Sequence, residues 1–356
     1  MQQQLQFSDR LSVDKDGVLP STRYQGSKYK ILRWIDYYTR NLRFNSVLDA
    51  FGGTGCVGYM YKKRGKQVFY NDSLKFNYYI GLALIENSHT VLEDKDVDFI
   101  LTKHNNIEYP SFIYDTFHDI YFTDDENQWL DCVITNIKHI HDNYKQALAY
   151  YALFQACIIK RPYNLFHRKN LYIRTADVER SFGNKKTWDT PFENHFIKFA
   201  KEANDAVFDN GEKNRAFHSD ISDLDIPKPD LVYIDTPYIS AKGVGVNYFD
   251  FYHFLEGIVS YDQWPSLIDY NSKHRKIKNG KNEWCNKDEI HQAFQKLFDK
   301  FRDSILVISY RDDGTPTISE LVNMLAEIKQ SVDIKKLDYK YVLSNETSKE
   351  VLIISE

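Results

Sequence analysis

The residues best suited to chemistry are Asp235-Thr236-Pro237-Tyr238, which close the apolar run Leu231-Val232-Tyr233-Ile234. A carboxylate, a backbone carbonyl, a proline and an aromatic ring at a strand end suit the holding of a nucleobase by its exocyclic amine. The lone pair of such an amine is delocalised into the ring, so it is a weak nucleophile. The Asp235 carboxylate and the Thr236 carbonyl can accept its two hydrogens and let the nitrogen pyramidalise, as preorganised electrostatics. Pro237 stiffens the loop, and Tyr238 can stack on the base. A base paired in a duplex cannot reach such a pocket, so this reading implies flipping. The plain alternative for the same residues is a strand that ends in an Asp-capped turn.

A second stretch supplies the partner for that chemistry. Gly53 to Gly58, GTGCVG, satisfies G-x-G-x-x-G, and Asp72 follows 19 residues after Gly53. Strand, glycine turn, helix, second strand and acid stand in the order of a nucleoside-bearing cofactor site; a tight structural turn is the competing reading. Asp49 separates the candidate cofactors. A dinucleotide sets its pyrophosphate at the helix N-terminus, and a carboxylate three residues before Gly52 would repel it. S-adenosylmethionine carries an α-amino group and a sulfonium and has no phosphate, so it suits Asp49 better than NAD does. Alternatively, Asp49 only caps the turn.

These groups must be positioned by a framework. Ser46 to Ala50 read as a strand, 51 to 55 as a glycine turn, 56 to 64 as a helix and Gln67 to Tyr70 as a second strand, a unit that builds parallel sheets. Before it, Ile31, Leu32, Ile35 and Tyr38 recur at helical spacing. Strand signals return after 205 with DLVYID and SILVISY, followed by a helix, TISELVNMLAEIKQ. Two closing strands, DIKKLDYKYVLS and EVLIISE, form an antiparallel hairpin on an otherwise parallel sheet. The expected fold class is α/β, a Rossmann-like methyltransferase sheet with an inserted, mainly helical subdomain. Residues 1–20 read as a flexible N-terminal arm, 21–85 and 206–356 as the catalytic domain, and 86–205 as the insertion.

Composition sets the outer bounds. The 356 residues are 42% hydrophobic, enough for a substantial core. The net charge of −4 gives no global pull toward nucleic acid, so any DNA surface must be a local basic patch. The four cysteines are scattered without a CxxC pair, which gives neither a metal site nor a disulfide framework. No apolar run approaches the roughly 18 residues of a membrane span. The expectation is a soluble, cytoplasmic protein with no membrane partner.

Taken together, the motifs resemble the D12-class, alpha-group adenine-specific DNA methyltransferases of bacterial restriction–modification systems. RYQGSK (Arg23 to Lys28) resembles the N-terminal cofactor segment, DAFGGTG (Asp49 to Gly55) the glycine motif, and DTPY the catalytic motif. FHSD (Phe217 to Asp220) resembles the strand-end segment beside the cofactor adenine, and SYRDDGTP (Ser309 to Pro316) a later core motif. The resemblance implies S-adenosylmethionine as cofactor, double-stranded DNA as substrate and a cognate restriction endonuclease as partner. It implies that Tyr24 and Lys28 hold the methionine part, and that Phe51, Gly52, Gly53 and Gly55 shape the cradle with Asp49 near the amino group. Asp72 would bind the ribose hydroxyls, Asp220 would accept from the cofactor's adenine amine, and Ile221 would pack on that ring. Asp235 and the Thr236 carbonyl would hold the target amine, with Tyr238 stacked on the target base. The family's catalytic motif is usually D-P-P-Y. Thr236 in place of the first proline keeps the carbonyl but adds an N–H and loosens the loop.

Within the insertion, residues 160–186 carry eight basic side chains against Asp177 and Glu179, a local charge of +6. Arg161, Arg168, Lys169, Arg174, Lys185 and Lys186, interleaved with aromatics, read as the footprint of a DNA interface; the alternative is a solvated helix face. A second basic run, 273–281, stands between a backbone clamp and plain surface. His253 reads as a structural histidine. The expected function is site-specific methylation of the N6 amine of adenine in duplex DNA. The rivals are a methyltransferase for RNA, protein or the cytosine amine, a NAD-dependent oxidoreductase, and a DNA-binding module with an inactive core.

Overall fold

A computed structural model describes residues 17–178, 184–240, 245–280, 282–339 and 348–356. Nine strands are defined among them: β1 (Ser46–Asp49), β2 (Gln67–Asp72), β3 (Arg215–His218), β4 (Leu231–Ile234), β5 (Ile239–Ser240), β6 (Ile305–Arg311), β7 (Gly314–Thr315), β8 (Val332–Tyr339) and β9 (Ser348–Ser355). Seven form one sheet in the order β3-β2-β1-β4-β6-β9-β8. β1, β2, β3, β4 and β6 are mutually parallel, and β9 runs antiparallel to both β6 and β8. This is the Rossmann-like methyltransferase sheet that the sequence led us to expect. The closing hairpin folds back, so that its second strand lies beside β6 and its first strand forms the edge.

Both faces of the sheet are covered, as parallel sheets require. All four residues of β4 are buried, and alternate side chains enter opposite layers. Leu231 and Tyr233 join the layer of Val47, Val68 and Tyr70. Val232 and Ile234 join the layer of Leu48, Phe69, Leu306 and Ile308.

Among the described residues, 86–205 contain helices and no strand, with the longest at Asp124–Lys138, Asn143–Ile159 and Phe192–Ala206. These helices share the first layer's core instead of forming a separate lobe. Phe154 meets Phe76 edge-on at 5.7 Å, and Tyr150 meets Tyr79 at 4.8 Å. Of the expected N-terminal arm, residues 1–16 lie outside the described residues. Residues 17 and 18 are tied to the fold: the Val18 N–H donates to the Asp205 carbonyl (3.1 Å), and Lys63 donates to the Gly17 carbonyl (3.1 Å). Among the described residues no helix is long and apolar enough to cross a membrane.

The order of strands reverses between β1 and β4, and open α/β sheets bind their ligands at the carboxyl ends of strands flanking such a point. The loop after β4 is braced there by the small β5–β7 pair and by the Val246 N–H, which donates to the Tyr238 carbonyl (3.0 Å).

Candidate active site

Three strand tips deliver three carboxylates to one cleft. Asp49 ends β1, Asp72 ends β2 and Asp235 follows β4, and all three line it. The glycine loop forms its floor. The Gly52 N–H donates to the Asn71 carbonyl (2.8 Å), and the Gly55 N–H to the Gly52 carbonyl (2.8 Å). Gly53 and Gly55 sit at φ of 51° and 69°, where glycine is strongly favoured. Gly52 is constrained differently: a Cβ there would fall 2.0 Å from the Tyr70 ring. The Tyr70 hydroxyl, beneath the loop, lies 2.8 Å from the Gly53 carbonyl and 3.0 Å from that of Asn77.

Asp49 is tied to the turn and stands at the cleft. Its Oδ2 accepts from the Gly58 N–H (2.9 Å) in the first turn of the helix Cys56–Lys63, and the residue also faces the cleft. Burial pushes its carboxyl up to about 7 against that hydrogen bond, and the nearby Asp235 and Asp72 add to the rise. Asp72 accepts from Leu74 N–H (2.8 Å) at Oδ1, and from Gly53 N–H (2.9 Å) and Asn77 Nδ2 (3.1 Å) at Oδ2. Burial still lifts it to about 6. Oδ1 keeps acceptor capacity for a hydroxyl.

Lys28 is surrounded by acidic partners. It lines the cleft, but its ammonium is 3.0 Å from Asp235 Oδ1 and 3.7 Å from Glu350 Oε1, and it donates to the Tyr238 hydroxyl. Burial works against its charge, yet the two carboxylates outweigh it and raise the pKa. Tyr238 is likewise turned inward. Its hydroxyl donates to Asp235 Oδ1 (2.8 Å), and its ring meets Tyr310 edge-on at 5.5 Å. The aromatic wall of the cleft comes instead from Tyr24, Tyr248 and Phe249. Tyr24 stacks on Tyr252 (4.4 Å, 9° between planes) and on Tyr248 (5.8 Å, 7°).

Phe51, Thr236 and Pro237 line the cleft as expected, while Asp220 and Ile221 are not among its lining residues. Asp220 is exposed, and its Oδ1 accepts from the N–H (2.9 Å) and hydroxyl (2.8 Å) of Ser222. Ile221 is buried in the second core layer. Sequence reasoning missed Asn77 and Glu350, whereas Tyr248 and Phe249 belong to the segment 247–258 that follows the catalytic loop and reads either as a cover for the base or as core. Asn77 carried a usable signal, a buried polar residue in the apolar helix that follows Asp72. Glu350 carried none, since an acid at the start of a strand is ordinary.

The basic stretch divides in two. Arg161 is 1% exposed, and its guanidinium donates to the carbonyls of Leu165 (3.2 Å), Tyr121 (3.0 Å) and Arg168 (3.1 Å) and to Asn170. Arg174 makes a two-pronged pair with Glu126 (2.9 and 2.7 Å), which Lys160 joins at 2.8 Å. Burial opposes the Glu126 charge, but Arg174 and Lys160 hold its carboxyl below the usual range. The expectation of DNA contact is therefore corrected for Arg161 and Arg174, which brace the insertion from within. Arg168, Lys169, Lys185 and Lys186 are exposed, with Lys169 paired to Asp119 at 3.0 Å. Arg180 and Lys281 lie outside the described residues. The Phe166 N–H donates to the Phe251 carbonyl (2.9 Å), which ties the Arg168 loop to the helix bearing Tyr248 and Phe249. His253 is buried between Tyr121 and Phe166, and burial lowers its pKa to about 3.

A Rossmann-like sheet with a glycine floor, three strand-tip carboxylates and a D-x-P-Y loop beside the switch point defines the methyltransferase class. Residues 24–311 match the family model described as D12 class N6 adenine-specific DNA methyltransferase. The chain is 30% identical over 339 residues to type II methyltransferase M2.HphI of Haemophilus parahaemolyticus, covering 93% of this chain and 95% of that protein. It is 28% identical to modification methylase StsI of Streptococcus sanguinis, covering 92% of this chain and 50% of that protein. It is 23% identical to type II methyltransferase M.NlaIII of Neisseria lactamica, covering 91% and 93%. The chain belongs to the D12 class of N6 adenine-specific DNA methyltransferases, and its activity is site-specific methylation of adenine N6 in DNA.

Proposed function

We propose that the methyl donor is S-adenosylmethionine, bound over the glycine floor, and that a flipped adenine meets it at Asp235. The observation that carries this reading is the charge of the cleft. Asp49, Asp72 and Asp235 line it, and Lys28, the one Lys or Arg among the described lining residues, is engaged by Asp235 and Glu350. That lining suits a cationic donor and, among the described residues, offers a pyrophosphate no free cation. The buried Asn77 Oδ1 and Thr236 Oγ1 belong to cleft-lining residues and have no hydrogen-bond partner among the described residues, which fits a polar ligand.

Bound S-adenosylmethionine supplies a methyl group activated by its sulfonium. Asp49 faces the cationic methionine part, Asp72 accepts from the ribose, and Tyr24 walls the site. Asp235 and the Thr236 carbonyl accept the two hydrogens of the target amine and turn its lone pair toward the methyl carbon. Asp235 and Thr236 would hold the nitrogen in place as it gains the methyl group that the donor would supply. The nitrogen is cationic until it releases a proton to water, so no dedicated general base is required. The remaining carboxylate charge of the cleft favours that cation.

Calorimetry tests the cofactor. S-adenosylmethionine is expected to bind in the micromolar range (about −8 kcal/mol), with NAD showing no heat. Tight NAD binding without S-adenosylmethionine binding would overturn the reading.

Residues 86–205 act as the target-reading part, inserted between the two catalytic segments 21–85 and 206–356. Arg168, Lys169, Lys185 and Lys186 are its candidate phosphate contacts. Arg168→Ala is expected to weaken DNA binding and lower the salt slope by about 1. An unchanged slope in an anisotropy titration would remove Arg168 from the interface. The names of the relatives, type II methyltransferase and modification methylase, support a cytoplasmic enzyme working beside a cognate restriction endonuclease.

A further inference from the structure

Lys28 is a single ammonium shared by the half-buried Asp235 and the buried Glu350. It lies 3.0 Å from Asp235 Oδ1 and 3.7 Å from Glu350 Oε1 while donating to the Tyr238 hydroxyl. Glu350 is 1% exposed on β9, held in register opposite Arg311 of β6 and Leu337 of β8. It stands beyond the residues 24–311 matched by the family model and in none of the motifs. An ion pair of Lys28 with Asp235 alone would be neutral overall. With Glu350 ionised, Lys28, Asp235 and Glu350 sum to a net negative charge beside the atom that must stabilise a nitrogen turning cationic; the positive charge of Arg311, across the strand from Glu350, is paired with Asp313 at 2.7 Å.

We propose that Glu350 is a positioning residue of the methylation centre: it draws part of the Lys28 ammonium to itself and so leaves Asp235 with the negative charge that the target amine needs. This rests on the reading of Asp235 given above. The benefit belongs to the transition state, because the amine is neutral before transfer and cationic during it. Glu350 therefore acts on kcat more than on substrate or cofactor affinity.

Among the described residues, the titratable groups that interact with Glu350 include Lys28, Asp235, Tyr238, Tyr248 and Arg311. Burial pushes its carboxyl up to about 7; Lys28 and Arg311 oppose the rise and Asp235 adds to it. Glu350 is thus anionic above that value and neutral below it. Its contribution is present at high pH and lost as pH falls.

The test compares wild type with Glu350→Gln, which mimics the neutral acid in shape. The expected wild-type to variant ratio of kcat is about 10 at pH 8 and narrows to about 2 at pH 6, where wild type is itself mostly protonated. Affinity for DNA and for S-adenosylmethionine stays within about twofold. Glu350→Asp, which retains the charge, recovers part of kcat at pH 8. An infrared pH titration of the cofactor-free protein, wild type minus Glu350→Gln, shows a carboxylic-acid band titrating near neutrality. A ratio that does not change with pH, an unaltered kcat, or loss of cofactor binding in Glu350→Gln would overturn the proposal. Asp235→Asn, measured alongside, separates the two levels. If it stays active, the reading of Asp235 fails. If it is inactive while Glu350→Gln matches wild type, only the inference about Glu350 fails.

Discussion

Asp235→Asn lowers the rate of methyl transfer by about 10²–10³-fold, the scale seen when one preorganised electrostatic group is removed, and leaves DNA and cofactor affinity within a few-fold. The amide matches the carboxylate in shape but turns one acceptor oxygen into a donor, which opposes the hydrogens of the target amine. Lys28 retains Glu350 as a partner, so the fold keeps its buried ion pair. Single-turnover transfer of tritiated methyl to plasmid DNA, with DNA binding measured separately, reads both parts. Transfer at a wild-type rate would remove Asp235 from the chemistry.

Glu126→Ala is the most damaging change expected outside the cleft. Glu126 holds Arg174 and Lys160 together, and it also closes the capping box of the helix Asp124–Lys138 through the Thr123 N–H (3.0 Å). Removing it strands two largely buried cations, and breaking a buried pair from one side costs about 3–5 kcal/mol. Urea denaturation is expected to register that loss, with DNA binding falling because the braced insertion loosens. Lys185→Ala, at an exposed position of the same stretch, should stay within about 0.5 kcal/mol of wild type. Equal stability of the two variants would contradict the internal role given to Glu126, Arg174 and Lys160.

The contrast between the buried and exposed members of that basic stretch marks where the sequence stops being readable. A run of basic residues carries the same local signal whether its side chains meet phosphate or protein. The fate of Arg161 and Arg174 depends on Tyr121 and Glu126, which are distant in the chain and show no pattern that links them. Lys28 poses the same problem, because its position in the N-terminal motif says nothing of Glu350 on β9. Tyr238 sits in the expected motif, yet its orientation is decided by Asp235, Lys28 and Tyr310. By contrast, β1, the glycine turn and β2 were legible because each obeys a local rule. Apolar runs mark buried strands, and glycine answers a positive φ or the Tyr70 ring pressed beneath the loop. The place of the final hairpin also follows from composition. Val351-Leu352-Ile353-Ile354 suits an interior strand, whereas β8, with Asp333, Lys335, Lys336 and Asp338, suits an edge. At Asp220 the strand-end position did not reveal that Oδ1 accepts from Ser222 in its own turn.

The central claim is that donor and target amine meet between the tips of β1 and β4. A crystal structure with S-adenosylhomocysteine and duplex DNA tests it most directly. The predicted result is the homocysteine part over Gly52 to Gly55 beside Asp49, the ribose on Asp72, and an extruded adenine with its amine on Asp235. A cofactor product bound away from Asp49 and Asp72, or an adenine amine out of reach of Asp235, would contradict it.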